Sequence, residues 1–240
     1  MRLRINIPCN TCSDEWDSVQ DIPDNQIFEF CCPAGHKNKI HLQNPRYELL
    51  FDMGLSAYKD GYYREACLDF AACIERFHEY CLYAMLQDKQ EFFRDTSIIE
   101  EMWKEINKQT ERQYGAFFVL YTSVFERIPV KQTRKYIEFR NDVTHKGKFP
   151  NKNETIEYAK YVAEYIEQIY RELSSKTTLL LWSDSLLKTY PIRQKERDII
   201  EIMGISTFLS CICKQEKSFE QAMEIYNMLF PLTYDKSTSY

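Results

Sequence analysis

The fold is decided by residues 62–88: Tyr62-Tyr63-Arg64-Glu65-Ala66-Cys67-Leu68-Asp69-Phe70-Ala71-Ala72-Cys73-Ile74-Glu75-Arg76-Phe77-His78-Glu79-Tyr80-Cys81-Leu82-Tyr83-Ala84-Met85-Leu86-Gln87-Asp88. Tyr63, Cys67, Phe70, Ile74, Phe77, Cys81 and Ala84 recur at alternating intervals of four and three residues. That is the period of one face of an amphipathic helix placed for burial. No proline interrupts the run, and Asp60-Gly61 stands before it as a turn. The spacing therefore predicts a helix over 62–88 and a core built around it.

Outward from this segment, the pattern stays helical from Pro45 onward. A first helix is expected over 47–59 and a third helical region over 97–125, interrupted near Gly115 and ended by Ile128-Pro129. Another helix starts near Lys131. After a loop over 147–153, a long helix follows, with the stripe Ile156, Ala159, Ala163, Ile166, Ile169 or Tyr170, and Leu173, and with Asn153 as its expected N-cap. The tail is expected to hold further helices over 178–189, 193–213 and 217–230.

Residues 1–44 are different. Short β-like stretches, Leu3–Ile7, Ile27–Phe30 and Lys39–Leu42, alternate with Pro8, Asn10, Asp21, Pro23, Asp24, Asn25, Pro33 and Gly35. A segment this short cannot bury a sufficient core and needs a staple. The expected fold class is thus mainly α, a helical bundle behind a small β module. The expected units are 1–44 (a zinc-ribbon-like module), 45–175 (the helical domain) and 176–240 (a C-terminal helical extension packed on it).

The 240 residues are 44% hydrophobic and 28% charged, which is the range of a soluble globular chain. With 6 Gly and 8 Pro, the chain has too few turn formers for an all-β fold. No apolar run is long enough to cross a bilayer. Met1-Arg2-Leu3-Arg4-Ile5-Asn6 has no signal-peptide core, so the expectation is a cytoplasmic protein without membrane partners. In that compartment its 9 cysteines are metal ligands or buried thiols rather than disulfides.

Cys9-x2-Cys12 and, after nineteen intervening residues, Cys32-Pro33-Ala34-Gly35-His36 form two short arms of the kind a tetrahedral Zn²⁺ requires. Binding would deprotonate the thiols and fold the segment. The second arm resembles a zinc-ribbon knuckle, with Ala34-Gly35-His36 where ribbons commonly carry a cysteine, so His36 is expected as fourth ligand. Cys31 and His41 compete for that role. No glutamate accompanies these ligands as a general base, which points to a structural ion. Cys67, Cys73, Cys81, Cys211 and Cys213 fall in apolar helical stretches and are expected as core thiols.

Net charge is −5, which argues against a transcription regulator that binds DNA through a global basic field. Locally the balance reverses. Lys131, Arg134, Lys135, Arg140, Lys146, Lys148 and Lys152 face only Glu138 and Asp142, and seven against two leaves a local charge of +5. Arg134, Lys135, Lys146 and Lys148 are the expected phosphate contacts of an RNA ligand. Within the patch lies Phe139-Arg140-Asn141-Asp142-Val143-Thr144-His145. Asn141 and His145 share a helix face, so the amide can orient the imidazole. Arg140 lies about 140° around an ideal helix from His145. The two converge only if the backbone departs from that geometry or a second subunit completes the site. An imidazole can exchange protons with the 2′-hydroxyl and the departing 5′-oxygen of RNA, and a guanidinium can stabilise the phosphate charge.

Residues 46–173 resemble the HEPN family, the helical domains of prokaryotic RNA-cutting toxins and defence nucleases. The likeness rests on the early helix pair around Asp60-Gly61-Tyr62-Tyr63-Arg64-Glu65-Ala66, on Arg140-Asn141-x3-His145, and on the long amphipathic helix after it. It covers about half the chain. It implies a metal-independent endoribonuclease with catalytic Arg140 and His145 assisted by Asn141, products ending in a 2′,3′-cyclic phosphate, and a homodimer with a composite site. An antitoxin or a phage-derived trigger would then restrain it in antiviral defence. Glu75 could contribute from an adjacent helix, although an acid beside a buried stripe more often faces water. The alternative is a non-catalytic HEPN-like module that holds RNA, a nucleotide or a partner protein.

Overall fold

The computed structural model describes residues 2–9, 11–12, 15–21, 23–88, 97–175 and 201–229. Among these the chain is mainly helical, with small sheets. The strands are β1 (Arg2–Pro8), β2 (Glu15–Asp21), β3 (Ile27–Cys31), β4 (Lys37–Leu42) and β5 (Glu201–Met203). The helices are α1 (Arg46–Lys59), α2 (Tyr63–Asp88), α3 (Ser97–Ile106), α4 (Thr110–Phe125), α5 (Arg134–His145), α6 (Lys152–Ser174), α7 (Phe208–Cys213) and α8 (Phe219–Leu229). No described helix is long and apolar enough to cross a membrane.

α2 is the centre of the bundle and packs against α1, α4, α5 and α6. Cys67, Phe70, Ile74, Phe77, Cys81 and Ala84 are all buried, as their spacing predicts, while Tyr63 at the start of the stripe is half-buried. The burial is wider than one stripe: every residue from Tyr80 to Leu86 is buried, because α1, α4 and α6 enclose this end of the helix. α1 turns into α2 at Gly61, whose φ of +84° a Cβ would disfavour, and the Tyr62 N–H closes back on the Ala57 carbonyl at 2.8 Å. At Gly54 the two helices come so close that an added Cβ would stand 2.5 Å from the Phe70 ring.

Several expectations shift. The break in the third helical region falls at Asn107–Gln109 rather than at Gly115, which sits inside α4 with nothing within 4 Å of a Cβ position. Gln109 is extended and starts α4. The cap of α6 is Asn151, not Asn153. Its side chain accepts from the Asn153 and Glu154 N–H groups, and the Glu154 carboxylate accepts from the Asn151 N–H at 2.9 Å, a complete capping box. β2 has no counterpart in the sequence reading; it pairs antiparallel with β1, from Arg2 opposite Asp21 to Pro8 opposite Glu15.

The helix expected over 193–213 is corrected. Within it lies β5, which pairs parallel with β4, Ile40 opposite Glu201 and Leu42 opposite Met203. Among the described residues of this range, a helix forms from Phe208; residues 193–200 lie outside the described residues. The helix expected over 178–189 lies outside the described residues. The C-terminal segment thus adds a strand to the antiparallel β3–β4 hairpin as well as packing on the helices. Beyond the paired strands, the Asn44 amide donates to the Ile205 carbonyl and accepts from the Ile205 N–H, each at 2.8 Å, as another backbone would.

Two buried acids on α1 hold α7. Thr207, the N-cap of α7, donates to Glu48 at 2.8 Å, and Lys214 beyond its C-terminus meets the other Glu48 oxygen at 3.1 Å. Asp52, one turn along α1, accepts the Phe208 N–H at 3.0 Å. Burial raises the Asp52 carboxyl to about 8; the Phe208 N–H opposes this and Glu48 adds to it. On α2, His78 is buried against Tyr114, Phe117 and Tyr165, 2.7 Å from the Tyr165 hydroxyl, and burial lowers it to about 3.

The Gly54 contact makes Gly54→Ala an overpacking change, expected to cost roughly 1–3 kcal/mol in urea denaturation with an unchanged slope. Asp52 gives a pH dependence of known sign. Its folded value lies above the unfolded 3.8, so the native state keeps a proton that the unfolded chain has released. Stability therefore falls as pH rises from about 4 to about 8. Below 6.5 the lowered His78 works in the opposite direction. Between pH 6.5 and 8 the lowered Cys9 thiol also opposes Asp52, so the readout is the difference between variants: the melting temperature of the wild type should fall relative to that of Asp52→Asn as pH rises.

Candidate functional site

The first candidate is the cysteine–histidine cluster. The ligand atoms of Cys9, Cys12, Cys32 and His36 all lie within 4.8 Å of one another. Cys12 Sγ is 3.9 Å from Cys32 Sγ, and His36 Nδ1 is 3.4 Å from Cys32 Sγ and 3.8 Å from Cys9 Sγ. Sulfur and nitrogen ligands about 2.0–2.3 Å from one ion stand roughly 3.5–3.8 Å apart at the corners of a tetrahedron. The four residues can therefore hold a metal ion, and the donor set is compatible with zinc. Cys31 is exposed and His41 is buried in β4; neither belongs to the cluster.

Local backbone geometry makes the arms. Gly35, at φ +87°, closes the second arm: its N–H meets the Cys32 carbonyl at 2.8 Å, and the His36 N–H points at Cys32 Sγ at 3.4 Å. In the first arm the Thr11 N–H reaches Cys9 Sγ at 3.4 Å. Asn38 donates to Cys9 Sγ at 3.5 Å and to the His36 carbonyl at 2.9 Å, tying the two arms together. Burial raises the Cys9 thiol, but N–H donors from Cys12, Thr11 and Asn38 outweigh it and bring the thiol down to about 6. Asn38 was not foreseen as a participant; its place two residues after His36, inside Gly-His-x-Asn, was the available signal.

The second candidate is the α5 segment. α5 is helical without interruption from Arg134 to His145, so the roughly 140° between Arg140 and His145 persists within one chain. The two side chains take different directions. Arg140 is half-buried and its guanidinium stands 3.6 Å from Glu75 of α2, with side-chain exposures of 31% and 27%. Glu75 also accepts from Thr110 at 3.4 Å, so it is a partner of Arg140 rather than an acid facing water. Burial pushes the Tyr158 phenol of α6 strongly upward, and the nearby charge of Arg140 offsets part of this. The His145 imidazole is exposed and makes no hydrogen bond or ion pair among the described residues. Asn141 is half-buried on the same face, and no hydrogen bond joins its amide side chain to the imidazole.

The basic residues around them carry acidic neighbours. Arg134 binds Glu138 at 2.7 Å, Lys135 lies 3.8 Å from Glu157, Lys146 binds Asp142 at 2.7 Å, and Lys148 binds Glu154 at 2.7 Å. Glu154 and Glu157 come from α6 and Glu75 from α2, so the fold offsets part of the charge excess of the α5 segment. These pairs are largely solvent-exposed, worth about 0–1 kcal/mol each, and easily exchanged for a phosphate.

Comparisons with protein-family models, with curated proteins and with solved structures give no match to this chain.

If the cluster is a metal site, purified protein should carry about one ion per chain, the capacity of a closed four-ligand site, measured by elemental analysis. Cys32→Ser and His36→Ala should each lose it, while Cys31→Ser should keep it.

Proposed function

We propose that this protein is a metal-independent endoribonuclease of HEPN type, with His145 as proton-transfer group, Arg140 as phosphate stabiliser and Asn141 in support. Zinc, held by Cys9, Cys12, Cys32 and His36, is structural and takes no part in the reaction. The observation that carries the assignment is the exposed His145 imidazole. It has no internal partner among the described residues, and it stands at the end of a helix that also bears Arg140 and a cationic surface.

In the proposed reaction, one imidazole takes the proton of the ribose 2′-hydroxyl as its oxygen attacks phosphorus. The bond to the 5′-oxygen breaks, and a second imidazole, protonated, supplies that oxygen with its proton. The products are a 2′,3′-cyclic phosphate and a 5′-hydroxyl. One chain offers one such histidine, and its Arg140 points elsewhere. A homodimer with two facing α5 segments supplies both the second imidazole and a guanidinium for the phosphate. Such an activity suits antiviral defence, abortive infection or a toxin system, restrained by an antitoxin or a phage-derived trigger.

The Arg140–Glu75 contact favours a second reading. A guanidinium already engaged by a carboxylate is a structural tie, and the module then binds RNA, a nucleotide or a partner protein without cutting.

Incubation with RNA separates the two. Cleavage should persist without added divalent metal, spare DNA, and leave cyclic phosphate ends by mass spectrometry. His145→Ala, folded by circular dichroism, should lose at least about 100-fold of the rate. A folded wild type that leaves RNA intact, or a His145→Ala variant that cuts as fast, removes the enzyme assignment.

A further inference from the structure

Phe149 is the most exposed large apolar side chain among the described residues, at 86%. It sits in the loop between α5 and α6, four residues after His145. The loop is pinned on both sides of the ring. Before it, the N–H groups of Lys146 and Lys148 both reach the Asp142 carbonyl, at 3.1 and 3.0 Å, across Gly147 at φ +71°. The Lys148 ammonium bonds Glu154 and lies 4.7 Å over the Phe139 ring. After it, Pro150 is buried and Asn151 forms the capping box of α6. A loop this well anchored can be expected to bury its one aromatic ring if the fold needs it; here the ring is presented to solvent.

The surrounding charge says what the ring faces. Lys146 is exposed, and Lys152, three residues past Phe149, is exposed with no ion pair among the described residues. Lys152 lies in the first turn of α6, where a cation opposes the helix dipole, so helix stability does not account for it. An aromatic face next in the chain to Lys152, and to Lys146 whose exposed pair with Asp142 a phosphate can displace, suits one class of ligand: a single-stranded polynucleotide, whose unpaired bases stack on rings while its phosphates meet lysines. A duplex hides its base faces and cannot use such a ring.

We propose that Phe149 is a base-stacking platform for single-stranded RNA, with Lys146 and Lys152 holding the flanking phosphates. The proposal deepens the ribonuclease reading and rests on it only for the role of the bound strand as substrate: the ring positions the nucleotide next to His145. It is a binding residue, not a proton-transfer group.

The test uses the full chain carrying His145→Ala, so that binding is read without cutting. Fluorescence anisotropy with an unstructured RNA of about 12 nucleotides, a length typical of single-strand sites, is compared with a perfect RNA duplex. Added Phe149→Ala should weaken single-strand binding about 5- to 150-fold, the span that loss of one base–aromatic stack implies. Phe149→Trp should retain binding, with extra tryptophan quenching by RNA over the parent. Lys152→Ala should lower the salt dependence by about one phosphate contact. Equal single-strand affinity with and without the ring, equal loss on the duplex, or no RNA binding by the parent overturns the proposal. So does a change in oligomeric state in Phe149→Ala, which would make the ring a protein contact. Ring-dependent binding by a wild-type chain that never cuts leaves this proposal standing and removes the enzyme reading alone.

Discussion

Burial of α2 is the constraint on which the other elements depend. From Tyr80 to Leu86 every residue of this helix is buried, so α1, α4 and α6 must all be in place before that surface is fully removed from water. Burial of apolar surface is the main favourable term in folding, and here its full amount requires several helices together. The same enclosure orients α2 so that its other half carries Glu75 to Arg140 of α5. The candidate site on α5 is therefore held through the core, although its own side chains are largely at the surface.

Polar groups do a different job at the junction of helices and sheet. Glu48 is 1% exposed, yet it is satisfied by Thr207, Lys214 and Asn44 together, and Asp52 accepts the Phe208 N–H. Buried polar groups partnered in this way contribute little net stability, but an arrangement of the segments that left them buried without those partners would cost their desolvation. The C-terminal segment is thereby fixed in one register against α1 and β4.

The helices were legible where their apolar spacing was regular. α2 and α6 follow from period alone, and so does the burial of Cys67 and Phe70. The metal cluster was legible for a different reason: Cys-x2-Cys and Cys-x3-His fix ligand distances through short arms, whatever lies between them. β2 was invisible, because Glu15-Trp16-Asp17-Ser18-Val19-Gln20-Asp21 carries acids where a strand reading expects β-branched residues, and its strand character comes from pairing with β1. β5 was invisible as well. Three residues inside an apolar tail hold no period, and only the distant edge of β4 makes them a strand. Arg140 and His145 could be named from the motif, but the Glu75 contact is tertiary and no local pattern announces it.

The parallel pairing of β4 with β5 has a consequence for how the chain is made. During synthesis β4 leaves the ribosome early, and the strand that covers its open edge follows roughly 160 residues later. At typical elongation rates of about 5–20 residues per second, that edge stays uncovered for around 8–30 seconds. Exposed strand edges recruit other chains, and a contact this distant in sequence closes slowly. Nascent chains of this protein are thus most vulnerable to aggregation while the helices between the two strands are still being translated.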